Sequence, residues 1–201
     1  MGYSIAIDGD WLIAGAPGRS DGSATSGAVY LYRWNGSSWD FFNRYFGSLS
    51  NSDNHEFGSS VSIQGTRFVV GDVGPNNSAG YAYIFDWNGS TWQETAALQP
   101  SDGSNDDEFG KDVKLYGDFA IIGAPYNTTN TGGLGAGYLY VRQPNNNWAL
   151  AIKYEASDYY GADALGYTVY IDSSQVYLFA NWKFNTASYD DVGALYIVDL
   201  P

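Results

Sequence analysis

Phe57-Gly58-Ser59-Ser60-Val61-Ser62-Ile63 is a short strand-like phrase, and the chain returns to it. It reads Met1-Gly2-Tyr3-Ser4-Ile5-Ala6-Ile7 at the start, Phe109-Gly110-Lys111-Asp112-Val113-Lys114-Leu115 further on, and Leu165-Gly166-Tyr167-Thr168-Val169-Tyr170-Ile171 later still. The intervals are 56, 52 and 56 residues (1 to 57, 57 to 109, 109 to 165). A near-constant period of this length predicts an array of like units rather than one irregular core. The units run 1–56, 57–108, 109–164 and 165–201.

Within a unit the pattern predicts four short strands. The quoted phrase is the first. A tight turn follows, as at Asp8-Gly9-Asp10, Gln64-Gly65-Thr66 and Tyr116-Gly117-Asp118, where glycine permits the positive φ such turns need. The second strand is an unbroken apolar run, as in Phe68-Val69-Val70-Gly71 and Phe119-Ala120-Ile121-Ile122-Gly123. Continuous apolar character predicts burial on both faces. After a polar loop, the third strand opens on glycine at Gly27, Gly80, Gly137 and Gly193, which predicts a close approach of two backbones. Hairpin turns at Asn35-Gly36 and Asn88-Gly89 lead to a fourth strand beginning at Trp39, Trp92 and Trp148. The last unit has no such strand before Pro201, which gives a count of 15 strands. Four-stranded antiparallel units at this period predict an all-β fold, a β-propeller with four blades, the last incomplete. An open β-solenoid is the competing architecture.

The composition excludes several functions. Tyr, Trp and Gly number 18, 7 and 25, which is strand-and-turn chemistry, and no ten-residue stretch has helical periodicity. Cysteine is absent, so disulfides, thiolate catalysis and Cys–zinc sites fall together. A net charge of −13 repels nucleic acid and anionic membranes and favours cations, neutral sugars or basic protein surfaces. No apolar run has the length of a membrane span. No signal peptide is expected, since Met1-Gly2 leads directly into the first strand.

These residues resemble the FG-GAP repeat, the blade of the integrin α-subunit propeller and of many bacterial surface proteins. Phe57-Gly58 and Phe109-Gly110 match its opening, and Gly15-Ala16-Pro17 and Gly123-Ala124-Pro125 match its second signature. Met1-Gly2, Leu165-Gly166, Gly71-Asp72-Val73 and Ala180-Asn181-Trp182 depart from it. The resemblance implies a propeller and a role in extracellular or cell-surface adhesion, with a protein or glycan as partner. In the integrin type, an Asp-x-Asp-x-Asp-Gly loop between the first two strands binds calcium. Here that connection is a short turn, so no metal is expected at Asp8 and Asp10, at Asp118 or at Asp172.

Carboxylates gather instead before each Phe-Gly. Asp102, Asp106, Asp107 and Glu108 form the densest group, with Asp53, Glu56, Asp158 and Asp163 in matching places. Alternating oxygens around a Gly hinge make Ca2+ the candidate cofactor there. The competing reading is an inter-unit loop whose Ser and Asp side chains cap their own backbone. The loops between second and third strands vary most and should share one end of the fold with the acidic loops. Arg19, Tyr126, Trp182, Lys183 and Tyr189 are the candidate ligand contacts on them. Trp39, Trp92 and Trp148 are either sugar platforms or repeated core residues.

No enzyme is expected. One histidine, His55, and no cysteine leave few nucleophile–base arrangements, and His55 reads as a loop residue. The predicted function is non-enzymatic recognition through the loop face. The alternatives are a lectin-type propeller and a structural module of a larger surface protein. Three assemblies fit the unit count: a closed four-bladed ring, half of an eight-bladed ring shared by a homodimer, and a piece of a longer propeller. The shared ring is the leading expectation, because an open arc exposes strand edges and apolar faces.

Overall fold

The computed structural model describes residues 1–21, 24–50, 55–75, 78–128, 134–156, 163–181, 184–185, 190–191 and 193–201. Every helix or strand among them is a strand. The first unit holds β1 (Ile5–Asp8), β2 (Trp11–Ala16), the two-residue β3 (Ser20–Asp21) and β4 (Ala24–Thr25), β5 (Ala28–Trp34) and β6 (Trp39–Tyr45). The second holds β7 (Ser60–Gln64), β8 (Arg67–Asp72), β9 (Tyr81–Trp87) and β10 (Trp92–Leu98). The third holds β11 (Val113–Tyr116), β12 (Phe119–Thr128), β13 (Leu134–Arg142) and β14 (Trp148–Tyr154). The fourth holds β15 (Leu165–Ile171), β16 (Gln175–Ala180), the short β17 (Phe184–Asn185) and β18 (Asp190–Asp191), and β19 (Ala194–Asp199).

Each of the first three units is a four-stranded antiparallel meander, β1-β2-β5-β6, β7-β8-β9-β10 and β11-β12-β13-β14. The fourth pairs β15, β16 and β19. Some of the connections from second to third strand hold short paired strands. β3 pairs β4 and β17 pairs β18 inside them, and β12 runs on to Thr128.

The core lies between the sheets, and this explains the unbroken apolar second strands. Phe68 and Val70 pack into the cluster that joins the first and second units, with Ile13, Val29, Leu31 and Phe57. Val69, from the same strand, points into the next cluster with Phe109 and Val113. A third cluster packs Ile121 and Leu139 against Leu165, Val169 and Ile171. Successive residues of a strand face opposite sides, so a strand between two clusters must be apolar at every position.

The Phe-Gly and Gly-Ala signatures are two halves of one junction. Gly27 pairs in parallel with Phe57, Gly80 with Phe109 and Gly135 with Leu165. The third unit therefore uses Gly135 for the close approach, and not Gly137 as the sequence pattern placed it. A Cβ on Gly135 would run into the Leu165 backbone, whereas one on Gly137 would meet the Leu178 side chain. Ser4 Oγ donates to the Gly58 carbonyl and Ser60 Oγ to the Gly110 carbonyl, each at 2.8 Å.

At the third junction Asp112 replaces that serine, and its carboxylate accepts the Val169 N–H at 2.9 Å. Burial raises the Asp112 pKa, against the pull of Lys114 and the two backbone N–H groups. A carboxyl whose folded pKa lies above its unfolded value holds its full stability below the unfolded pKa. It loses that stability as pH rises through the folded pKa. Asp112→Asn, which keeps an acceptor for Val169, should therefore be neutral or stabilising at pH 7. The advantage should vanish below about pH 4, the unfolded Asp value. Urea melts of both proteins at the two pH values check this, and a loss of stability at pH 7 would refute it.

Candidate cleft at the acidic loop

Residues 99–112 carry the chain from β10 to β11, and the carboxylates there take separate partners. Asp102 accepts the Tyr138 hydroxyl at 3.1 Å and Lys153 Nζ at 2.6 Å. Burial works to raise its pKa, but Lys153 and Tyr138 outweigh it and hold the carboxyl below its ordinary value. Asp107 is buried, and its Oδ2 accepts the Ser104 N–H and Asn127 Nδ2, both at 2.7 Å. Glu108 pairs with Lys111 at 2.6 Å, and Lys111 Nζ also sits 5.4 Å from the Tyr167 ring of the fourth unit. Burial lowers the Lys111 pKa, but Glu108 overcomes it and leaves the amine above its usual value. Asp106 is exposed.

This arrangement does not fit a calcium ion. Ca2+ takes about six to eight oxygens converging on one point. Among the described residues no three His, Cys, Asp or Glu side chains gather in that way. Asp102 is turned to the third sheet, and Asp107 Oδ2 is taken by the Ser104 N–H and Asn127. The same loop caps itself through Ser104 and Asp107, as the competing reading of the sequence had it. Asp106 and Glu108 take left-handed backbones (φ 67° and 54°), and Asp106 N–H reaches back to the Ser78 carbonyl at 3.0 Å.

What the loop does form is one wall of a cleft of about 550 Å³, lined by Asn105, Asp106, Asp107, Glu108, Tyr126 and Thr128. The opposite wall comes from the end of β12. The Tyr126 N–H bonds to the Asp107 carbonyl at 3.3 Å, which ties the two walls together. Burial and then the Glu108 charge push the Tyr126 phenol above its ordinary pKa. It stays a neutral hydroxyl with one donor and an aromatic face. The cleft thus offers carboxylate and amide acceptors, two hydroxyls and a ring, which suits a cationic or hydroxyl-bearing group.

Arg19 lies in a different cleft, of about 570 Å³, with Met1, Gly2, Tyr3, Ala16, Pro17, Gly18 and Tyr30. Trp182, Lys183 and Tyr189 lie outside the described residues, as do Asp53 and Asp158. Of the candidate contacts, Tyr126 alone is seen beside the acidic loop. Two of the three recurring tryptophans lie in or against the core. Trp92 is buried against Phe68 and Trp11, with ring centroids 4.9 and 5.3 Å away. Trp148 packs on the cluster between the second and third units under Arg67, 5.3 Å from the ring. Trp39 is half-buried beside Trp34.

The sequence pattern missed a buried polar cluster. His55 lies in a loop but is buried there, and Nδ1 lies 2.9 Å from Asp72 Oδ2. Ser50 Oγ also donates to Asp72 Oδ2, and Oδ1 accepts the N–H groups of Glu56 at 2.9 Å and Gly74 at 3.1 Å. Tyr83 closes the group through a 3.2 Å contact with Ser50, and burial raises its pKa well above the ordinary value. His55, Asp107 and Asp163 each stand two residues before their Phe-Gly or Leu-Gly and all three are buried. The signal in the sequence is Asp72 itself, a carboxylate where Ala16 and Ala124 continue an apolar run. Ser50 donates to Asp72, so His55 and Ser50 are both tied to one carboxylate.

The FG-GAP repeat family model matches residues 1–32 and 92–141. Each matched stretch contains an intact Gly-Ala-Pro, at Gly15-Ala16-Pro17 and Gly123-Ala124-Pro125. No curated protein matches the chain.

Proposed function

We propose, from the FG-GAP repeats that this chain carries, that it is a non-enzymatic recognition module working outside the cell or at its surface. Its units are arranged as propeller blades. The first strands support this: β7 lies beside both β1 and β11, and β11 beside β15, as inner strands around an axis would. The ligand is a protein or glycan that brings a cationic or hydroxyl-bearing group to the cleft of Asp106, Glu108 and Tyr126. The observation that carries this reading is that cleft, built where a loop with left-handed backbone at Asp106 and Glu108 is bonded to the end of β12. Loops held by a stiff scaffold are the usual place for recognition.

The test is binding of the immobilised chain to arrays of basic peptides and neutral oligosaccharides. Tyr126→Ala should weaken the ligand found by about tenfold or more, the equivalent of 1.4 kcal/mol, with the melting temperature unchanged. Asp106→Asn should do the same for a cationic ligand and leave a neutral sugar nearly unaffected. Both variants binding as wild type would remove the cleft from consideration.

A further inference from the structure

The strand register aligns the outward-facing positions of the four units residue by residue. Ser60 pairs Gly71, and Gly15 and Gly123 bond in the same way to Ser4 and Asp112. In the fourth unit Thr168 pairs Phe179. Phe179, and not Ala180, therefore occupies the position of Gly15, Gly71 and Gly123. Ala180 pairs Ala194 as Ala16 pairs Ala28. This corrects by one residue the alignment that the sequence pattern gave.

That glycine is where the next unit docks. A Cβ on Gly15 would fall inside the Gly58 carbonyl, on Gly71 inside the Gly110 carbonyl, and on Gly123 inside the Gly166 carbonyl. Phe179 puts a whole benzyl group there. Its neighbours are enlarged too. Tyr170 stands where the other units have Ala6, Ser62 and Lys114, and its partner Tyr177 where they have Ile13, Val69 and Ile121. The Tyr170 and Tyr177 rings pack 5.7 Å apart, and the Tyr177 hydroxyl is held by Asp172 at 2.9 Å.

The other end of the array shows the opposite. Gly2 keeps the backbone of the docking glycines, φ 84° against 96°, 94° and 86° at Gly58, Gly110 and Gly166. Nothing lies within 4 Å of a Cβ built on it. Ile5 and Ile7 are 60% and 57% exposed, whereas their counterparts Val61 and Ile63 are 4% and 8% exposed.

We propose that the outward face of the fourth unit is a terminator and that of the first unit a docking surface. The partner that fits the docking surface is a repeat unit with glycine at the position of Gly15. The chain's own fourth unit does not qualify, either in the same molecule or in a second copy. The internal junction geometry therefore closes neither a four-unit ring nor a ring shared by two chains. Phe179, Tyr170 and Tyr177 suppress head-to-tail self-association while leaving the first face usable, a device against unwanted pairing.

Light scattering on three proteins tests this. The wild type should be monomeric. Phe179→Gly, a change at a part-exposed position that a folded chain should tolerate, and the fuller Tyr170→Ser/Tyr177→Ile/Phe179→Gly variant should at least double in mass. Adding Ile5→Glu to either should return it to monomer. Circular dichroism on every variant reports whether it is folded, and the single variant decides if the triple one is not. Folded variants that stay monomeric would overturn the docking role of the first unit. A wild-type oligomer abolished by Ile5→Glu would overturn the terminator. A wild-type oligomer abolished by Phe179→Asp would also overturn it, by showing the aromatic face to be a self-contact.

Discussion

Gly123→Val should cost the protein about 3 kcal/mol or more, the upper end of what overpacking a well-filled interior costs. For a chain of this size, that is a fall in melting temperature of roughly 6–12 °C. The reason is the junction between the third and fourth units. A Cβ on Gly123 meets the Gly166 carbonyl oxygen, its carbon and its Cα. All are backbone, so no side chain can swing aside, and the two sheets must separate. Separation also exposes Leu165 and Val169, which the third cluster buries. Gly18→Ala is the matched control, because nothing lies within 4 Å of a Cβ there. It should stay within about 0.5 kcal/mol of wild type. Thermal melts of the two variants decide it. Equal melting temperatures would mean that the junction is not as tight as drawn.

Asp72→Ala should be nearly as damaging, at about 3 kcal/mol, although alanine is what the first and third units carry at this position. Judged by the repeat pattern, the change restores a signature and should be harmless. Judged by the structure, it strands Ser50 and His55, both buried, and leaves the N–H groups of Glu56 and Gly74 without their acceptor. Removing an acceptor shared by buried donors costs about 1–3 kcal/mol for each donor left unsatisfied. A double-mutant cycle with His55→Ala should show coupling of about 0.5–3 kcal/mol, since the two residues share one network. Additive losses would show that His55 and Asp72 are held independently. A neutral Asp72→Ala would show that the cluster adds nothing to stability.

The sequence was most informative where chemistry repeats in register. Gly-Ala after an apolar run, and Phe-Gly at the start of the next unit, are legible because a junction made of backbone against backbone admits only glycine. The apolar runs Phe68–Gly71 and Phe119–Gly123 are legible because a strand between two apolar clusters must be apolar on both sides. The acidic loop was legible as a cluster of carboxylates but not as a site. Spacing shows that Asp102, Asp106, Asp107 and Glu108 are close along the chain. It does not show that Lys153 and Asn127 claim Asp102 and Asp107 from the third sheet, or that Lys111 turns back onto Glu108.

The amino-acid order by itself determined the period, the main strands of each unit and the two signatures that join units, since these follow from local pattern and from the absence of a side chain. Tertiary structure decided which residue faces which neighbour. Side chains alternate between faces with a period of two, so an error of one residue moves a group to the other side of its sheet. Phe179 and Ala180 differ by that single step, and the pairings of Thr168 with Phe179 and of Ala180 with Ala194 show which of them stands at the position of Gly15. His55 and Asp72, 17 residues apart, are joined in the same way. Their contact exists because a loop and the end of β8 meet at one buried point, a property of the packed sheets and not of either segment alone.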